Sequence, residues 1–333
     1  MNYAVTLLTE EHNQALLDLA ATSDTGSDLF VIDRSPDFFA LGRTWGESRY
    51  YGLWRRERLI GCLGVTRIDR FLAGEKTPAL YLHDFRLHPA FTGTRAYFRL
   101  VHEAVKALQG ESRWAYGIVW DSNSHRPSLL RGDRLFPAAA PIGQSVHLGM
   151  PLFLPLAGDW KQVEEISAGE AWKHYEQWAV PLSFAFADRE RFAEGGVFLG
   201  LRSADGLLAV CKLVDQTPVR KLIASRSLPP LLRMLHAPFR LRGAIALPAK
   251  RNVFPHLYLA HYASAEPRDH RPAFFAYLAR RWQRRYAYAF TGLSPEEAKA
   301  YRNPLAIKLR STTYAYGDPP RDLSLAAHEI TLM

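Results

Sequence analysis

The stretch Tyr81-Leu82-His83-Asp84-Phe85-Arg86-Leu87-His88-Pro89-Ala90-Phe91-Thr92-Gly93-Thr94-Arg95 constrains the fold more than any other part of the chain. An extended run ends in a His-Pro turn and a glycine-containing loop. A helix follows, with Tyr97, Phe98, Val101, Ala104, Val105 and Leu108 along one apolar face that must cover a sheet. The start of such a helix offers unpaired backbone N–H groups and the positive end of the helix dipole, which suit an anionic diphosphate.

The flanking segments extend the pattern. Residues 3–8 read as a strand, and Thr9 caps a helix carrying Ala15, Leu16, Leu19 and Ala20 at helical spacing. Residues 30–32 are extended, and Ser35-Pro36 fits the cap and first turn of a second helix. Residues 50–54 and 59–70 pair as strands around a polar turn, and 80–87 is the strand that enters the loop. Strand 114–120, a short helix at 124–130 and a closing strand at 145–153 complete an order β-α-α-β-β-β-α-β-α-β. That order predicts an α/β chain built on a mixed sheet of α+β type rather than a doubly wound one.

After Pro151 and Pro155 the order begins again. Helices at 159–166 and 170–178 precede strands 197–202 and 207–215, a central strand 257–265 and a helix 270–285. Strand 286–291, helix 295–301 and a last strand 307–316 follow. Two domains, 1–155 and 156–333, are expected, each long enough to bury a core, since 48% of the 333 residues are hydrophobic. The halves share order rather than residue identity, so the repeat is architectural.

No apolar run approaches the roughly 18–20 residues that span a bilayer, and the first residues lack the basic-then-apolar pattern of a secretory signal. A cytoplasmic location without a membrane partner is expected. Cys62 and Cys211 have no His or Cys at metal-ligand spacing and read as buried small hydrophobes, so no metal site is expected. The net charge of +9 favours anionic partners without selecting one, because the basic residues are spread along the chain.

Asp84-Phe85-Arg86-Leu87-His88-Pro89, followed by the loop and helix, resembles the strand, pyrophosphate loop and helix of the GNAT superfamily of N-acyltransferases. That pattern runs acidic-Asp-Leu-x-Val-His-Pro and then Arg-Gly-x-Gly-x-Gly/Ala. Here Thr92 stands for the Arg or Gln, Arg95 for the second Gly and Tyr97 for a small residue, while Gly93 is kept. The resemblance implies an acyl-CoA co-substrate, acetyl-CoA or another, held by Leu87, Thr92, Gly93, Thr94 and Arg95. Arg95 either pairs with phosphate or obstructs it. Asn123, after strand 114–120, corresponds to the family's pantetheine-contacting Asn and also fits a helix N-cap. A Tyr that protonates the thiolate in many members is missing from Leu129-Leu130-Arg131-Gly132-Asp133.

The implied chemistry is direct attack of an amine, on a small molecule or a protein, at the thioester. Backbone groups at Leu87 would orient the carbonyl. Asp84 is the candidate base or amine-positioning carboxylate, with a structural pairing to Arg86 or a backbone amide as the alternative. His83 is a second candidate base, placed by strand alternation on the opposite face, or a buried hydrogen-bonded histidine. Arg34-Ser35-Pro36-Asp37-Phe38-Phe39 resembles a segment of members with a second GNAT-like half, which makes Arg34 and Asp37 acceptor-binding candidates. The alternative is a capped helix with both phenylalanines in the core. In the second half, residues 257–265 and the glycine-free stretch Glu266–Phe274 with Pro272, together with Val214-Asp215-Gln216, resemble a non-catalytic GNAT half. Three functions stay open: an N-acyltransferase, a catalytically silent GNAT-like CoA-sensing or partner-binding protein, and an aminoacyl-tRNA-dependent transferase. The last has no nucleic-acid motif beyond charge to support it.

Overall fold

The computed structural model describes residues 3–23, 29–72, 74–91, 96–108, 110–123, 139–180, 184–225 and 230–319. In chain order, the first half contains β1 (Tyr3–Leu8), α1 (Asn13–Thr22), β2 (Phe30–Asp33), α2 (Ala40–Trp45), β3 (Glu47–Arg55), β4 (Arg58–Leu72), β5 (Glu75–Leu87), α3 (Ala96–Ala107), β6 (Trp114–Trp120) and β7 (Ala140–Pro151). The second contains β8 (Val163–Ile166), α4 (Ala168–Ala179), β9 (Ala185–Phe186), α5 (Arg189–Ala193), β10 (Val197–Ser203), β11 (Gly206–Val214), β12 (Lys221–Ala224), α6 (Pro230–Leu241), β13 (His256–Ser264), α7 (Arg271–Arg281), β14 (Tyr288–Leu293), α8 (Glu297–Ala300) and β15 (Ile307–Gly317).

Residues 59–66 of β4 are buried without a break, as a strand covered on both faces must be. Leu100, Ala104 and Leu108 pack on Leu53, Leu63 and Val65 on one face. Leu16 and Leu19 of α1, with Phe38, Tyr50 and Cys62, fill the other. The helix after the loop thus covers the sheet as expected, but Ala96 and Leu100 are fully buried in its face while Phe98 is only half-buried. In the second half Ser167 caps α4 by accepting the Glu170 amide, and Asp188 caps α5 through the Arg191 amide.

The strands join in one large sheet, ordered β1-β3-β4-β5-β6-β15-β7-β14-β13-β11-β10-β8, with β9 added beside β4. Each half contains one parallel pair, β5–β6 and β13–β14, and the other ladders are antiparallel. The mixed sheet of the sequence reading is therefore present. The closing strands are exchanged. β15, last in the chain, lies between β6 and β7, and β7 pairs with β14. A small second sheet pairs β2 with β12 across the halves.

Each half also carries the same irregularity. Leu63 of β4 faces both Asp84 and Phe85 of β5, and Cys211 of β11 faces both His261 and Tyr262 of β13. Asp84 has φ +45° and His261 φ +48°. Positive φ is uncommon outside glycine, and it is the geometry of a bulge that bends its strand.

Three expectations are corrected. Residues 159–166 form a single 3-10 turn, Trp160–Gln162, and then the edge strand β8, because Val163–Ile166 extends along Phe198–Leu201 of β10. Ser35-Pro36 does not begin a helix. Asp33 accepts the Ser35 amide and hydroxyl in a local turn, and α2 starts at Ala40. The helix expected to run to 285 ends at Arg281. The short helix expected at 124–130 lies outside the described residues.

Candidate active site

β5 and β6 pair at Leu80↔Ala115, Tyr81↔Tyr116 and Leu82↔Gly117 and then part. β5 continues to Leu87 against β4, and β6 continues to Trp120 against β15. The bulge at Asp84 accounts for the divergence, since a bulged strand turns away from its former line. The result is a gap between the carboxyl ends of two parallel strands. The His88 amide donates to the Ile60 carbonyl across β4 at 2.8 Å. Neighbouring peptide groups on a strand point to opposite edges, so the Leu87 amide faces the gap. Asn123 lies just past β6 on the other rim, its amide donating to the Trp120 carbonyl at 3.0 Å. Thr92, Gly93, Thr94 and Arg95 lie outside the described residues.

Beside the gap the structure assembles a buried charge network. The Arg34 Nη1 donates to both carboxylate oxygens of Asp84 at 2.8 and 2.7 Å, and Nη2 donates to the Phe38 carbonyl at 2.6 Å. Arg86 approaches the same carboxylate at 3.7 Å and donates to the Ser23 carbonyl. The partner of Asp84 is therefore chiefly Arg34, delivered from 50 residues earlier in the chain. His83 and Asp84 do not lie on opposite faces. The bulge turns both the same way, so that His83 Nδ1 sits 3.1 Å from Asp84 Oδ2.

Burial drives the Asp84 carboxyl upward, but Arg34, His83 and Arg86 together outweigh it and hold it far below the usual carboxylate range. Burial lowers His83 from its ordinary value despite the Asp84 charge, so the ring is neutral at pH 7. A neutral ring that donates from Nδ1 to the carboxylate must accept at Nε2, and the Thr66 hydroxyl lies 2.7 Å away, with Ser48 Oγ 2.5 Å beyond it. The Asp84–His83–Thr66 line has the connectivity of a nucleophilic triad, yet Thr66 has no exposed surface and no substrate reaches it. Gly64 makes room for this arrangement, since a Cβ there would lie 2.4–3.0 Å from the His83 ring.

Arg34 thus joins Asp84 and His83, whereas Asp37 stays outside. Asp37 accepts the Phe39 amide at 2.9 Å and pairs with Arg43 at the surface. Phe38 and Phe39 are in the core, packed edge-on to Tyr50. Sequence reasoning did not single out Thr66, Ser48 or Gly64. Cys62 is buried, its thiol pushed up to about 12 chiefly by burial and its Sγ within 3.3 Å of the Asp84 carbonyl.

The two diverging parallel pairs, the bulges and the exchanged closing strands define an architecture that can be compared as a whole. A GCN5-related N-acetyltransferase from Anabaena variabilis matches 94% of this chain and 72% of its own, at TM-score 0.56 and 10% identity. Saccharomyces cerevisiae N-myristoyltransferase, solved with myristoyl-CoA, matches 98% and 87% at TM-score 0.58 and 9% identity. The fold is that of the GNAT N-acyltransferases. A probable N-acyltransferase from Enterococcus faecalis is similar over 95% of this chain and 72% of its own, at TM-score 0.54 and 9% identity. No protein family and no curated protein matches the chain by sequence. The similarity extends over both halves, since it covers 94% and 98% of this chain. Among the described residues, no helix is long and apolar enough to cross a membrane.

Proposed function

We propose that this chain is an acyl-CoA-dependent N-acyltransferase, moving an acetyl or longer acyl group to an amine. The observation that carries this reading is the gap between β5 and β6 with the Leu87 amide on its edge. A fixed N–H at that edge is suited to the thioester carbonyl, where negative charge develops as the amine attacks. We assign Asn123, on the opposite rim, to the pantetheine arm and the start of α3, at Ala96, to the diphosphate. The N–C bond forms as the C–S bond breaks. The amine proton leaves to water, and the thiolate takes a proton from water.

Asp84 enters this scheme by position. A carboxylate held so far below its ordinary range is a weak base, and His83 is engaged at both ring nitrogens. We therefore assign Asp84, His83 and Arg34 to holding the bulge that opens the gap, and the proton to solvent. The same weak basicity favours a second reading, a GNAT-like protein that binds CoA without turnover.

Thermal unfolding with acetyl-CoA, longer acyl-CoAs and free CoA, paired with thiol release in the presence of small amines and peptides, tests both. A saturable rise in Tm with thiol release on adding an amine is expected. A rise without thiol release for any amine selects the silent reading. No rise at millimolar acyl-CoA overturns both.

A further inference from the structure

Between Asp215 and Glu266 the chain contains no acidic residue, while eight Arg and Lys residues fall in the same stretch. In the middle of it lies α6, which is apolar on two sides. Leu232, His236 and Phe239 face inward, on a cluster with Phe30, Leu222 and Phe254. Met234, Ala237, Pro238 and Leu241, spaced i, i+3, i+4 and i+7, form the opposite stripe and face solvent, Met234 at 67% and Leu241 at 91% exposure. Arg233 and Arg240 border that stripe, and Arg242 follows it, all three exposed. An exposed helix ordinarily turns polar residues outward, and one that is apolar all round is ordinarily buried.

The feature is local. Of the six large apolar side chains that are exposed among the described residues, five are Val31, Met234, Leu235, Leu241 and Val253. All belong to α6 or to segments bordering the same cluster: Val31 in β2 pairs with Ile223 of β12, which bridges to Val253. Lys250 and Arg251, beside Val253, are exposed as well. The carboxylate at this edge, Asp33, is taken by the Ser35 amide and hydroxyl.

We propose that α6 docks on an anionic lipid bilayer, lying in the interface with Met234, Ala237, Pro238 and Leu241 inserted and the flanking arginines at the headgroups. Apolar residues interleaved with Arg are the signature of an interfacial helix. A nucleic acid would use the cations and leave the stripe wet. A second copy of the chain would bring an equally cationic face against this one. The helix lies on the membrane and does not cross it.

Flotation of the full chain with equimolar phosphatidylcholine–phosphatidylglycerol vesicles, against phosphatidylcholine alone, tests this. The anionic vesicles carry the protein, and binding falls as salt rises. The Arg233→Gln/Arg240→Gln variant binds about thirtyfold more weakly, at about fivefold per arginine near the surface. Met234→Glu/Leu241→Glu abolishes flotation while leaving the unfolding midpoint unchanged, because both side chains are exposed. The proposal is overturned by absence of flotation, by equal flotation on neutral vesicles, or by flotation that ignores both variants. It is also overturned by a concentration-dependent dimer, or a nucleic-acid complex, that forms in place of lipid binding.

Discussion

Asp84 sits at positive φ, inside a sheet, with its charge cancelled by a guanidinium from another element, and each of these facts has a measurable price in free energy. Removing one partner of a buried pair leaves an uncompensated charge, so Arg34→Met and Asp84→Asn should each destabilise by about 3–5 kcal/mol. The double variant should cost less than the sum of the two, and a urea-denaturation double-mutant cycle measures the coupling. Full additivity would mean that the pair does not act as a unit. Gly64→Ala should cost about 1–3 kcal/mol by forcing the His83 ring off its partners. Buried neutral histidines set the acid response. Burial pushes His147 down to about 3 and His256 to about 4, and lowers His83. A histidine whose folded value is lowered binds fewer protons than it does unfolded, so its contribution is complete above about pH 6.5. That contribution declines as pH falls toward the folded values. Stability measured by urea unfolding should therefore drop steadily from pH 7 to 4, and a flat profile down to pH 5 would contradict the assignment. At this scale the sequence revealed the identity of Asp84, His83 and Arg34 but not their contacts. Alternation placed His83 and Asp84 on opposite faces, and one bulge residue undid that. The Arg34 pairing spans 50 positions, with no local signal to announce it.

Elements with a strong period were legible. The amphipathic helix after the loop was read from its spacing, β4 from its pairing with β3 around a polar turn, and Trp114–Trp120 was placed at its bounds. What escaped was short or held from outside. β8 reads as polar because Glu164 and Glu165 face solvent on an edge strand. β9 is two residues long and exists because Arg70 and Phe71 of β4 receive it, and β12 exists because β2 does. The sequence reading assigns no element to α6, although its apolar residues recur at helical spacing. The overall charge favoured anionic partners without selecting a membrane surface among them, whereas one cationic, acid-free stretch supplies a reason for one. The gap between β5 and β6 is a property of two elements at once, so it invites an elemental test. Leu87→Pro removes the amide that faces the gap and leaves the β4 ladder intact, since the ladder uses the His88 amide. With an accepting amine in hand, kcat should fall by about a hundredfold or more while acyl-CoA affinity stays within a few-fold. Equal losses in both would indicate that the substitution collapsed the strand rather than removed a donor.

The repeat of element order across the halves was visible in the sequence, and its meaning changes once the strand order is known. Two folds side by side would each close with their own last strand. Here β15 separates β6 from β7, and β7 reaches β14. Parting the chain near residue 155 would strip β6 of the partner along its whole length, Trp114–Trp120 against Ser311–Gly317, and leave β7 without either neighbour. The small sheet of β2 with β12 and the addition of β9 to β4 would break at the same cut. We therefore propose that 1–155 and 156–333 are two halves of one cooperative unit rather than independent domains. Expressed alone, each half would expose long unpaired strand edges, a known route to aggregation. Each should be insoluble, or compact with weak near-UV dichroism and poor amide protection. Expressed together as separate chains they should associate and regain both signals, because the exchanged strands supply the pairing without the peptide connection. Full-chain unfolding should then be a single transition by fluorescence and by circular dichroism. Two separated transitions, or a 1–155 fragment with native amide protection, would show that the exchange of closing strands does not bind the halves into one folding unit.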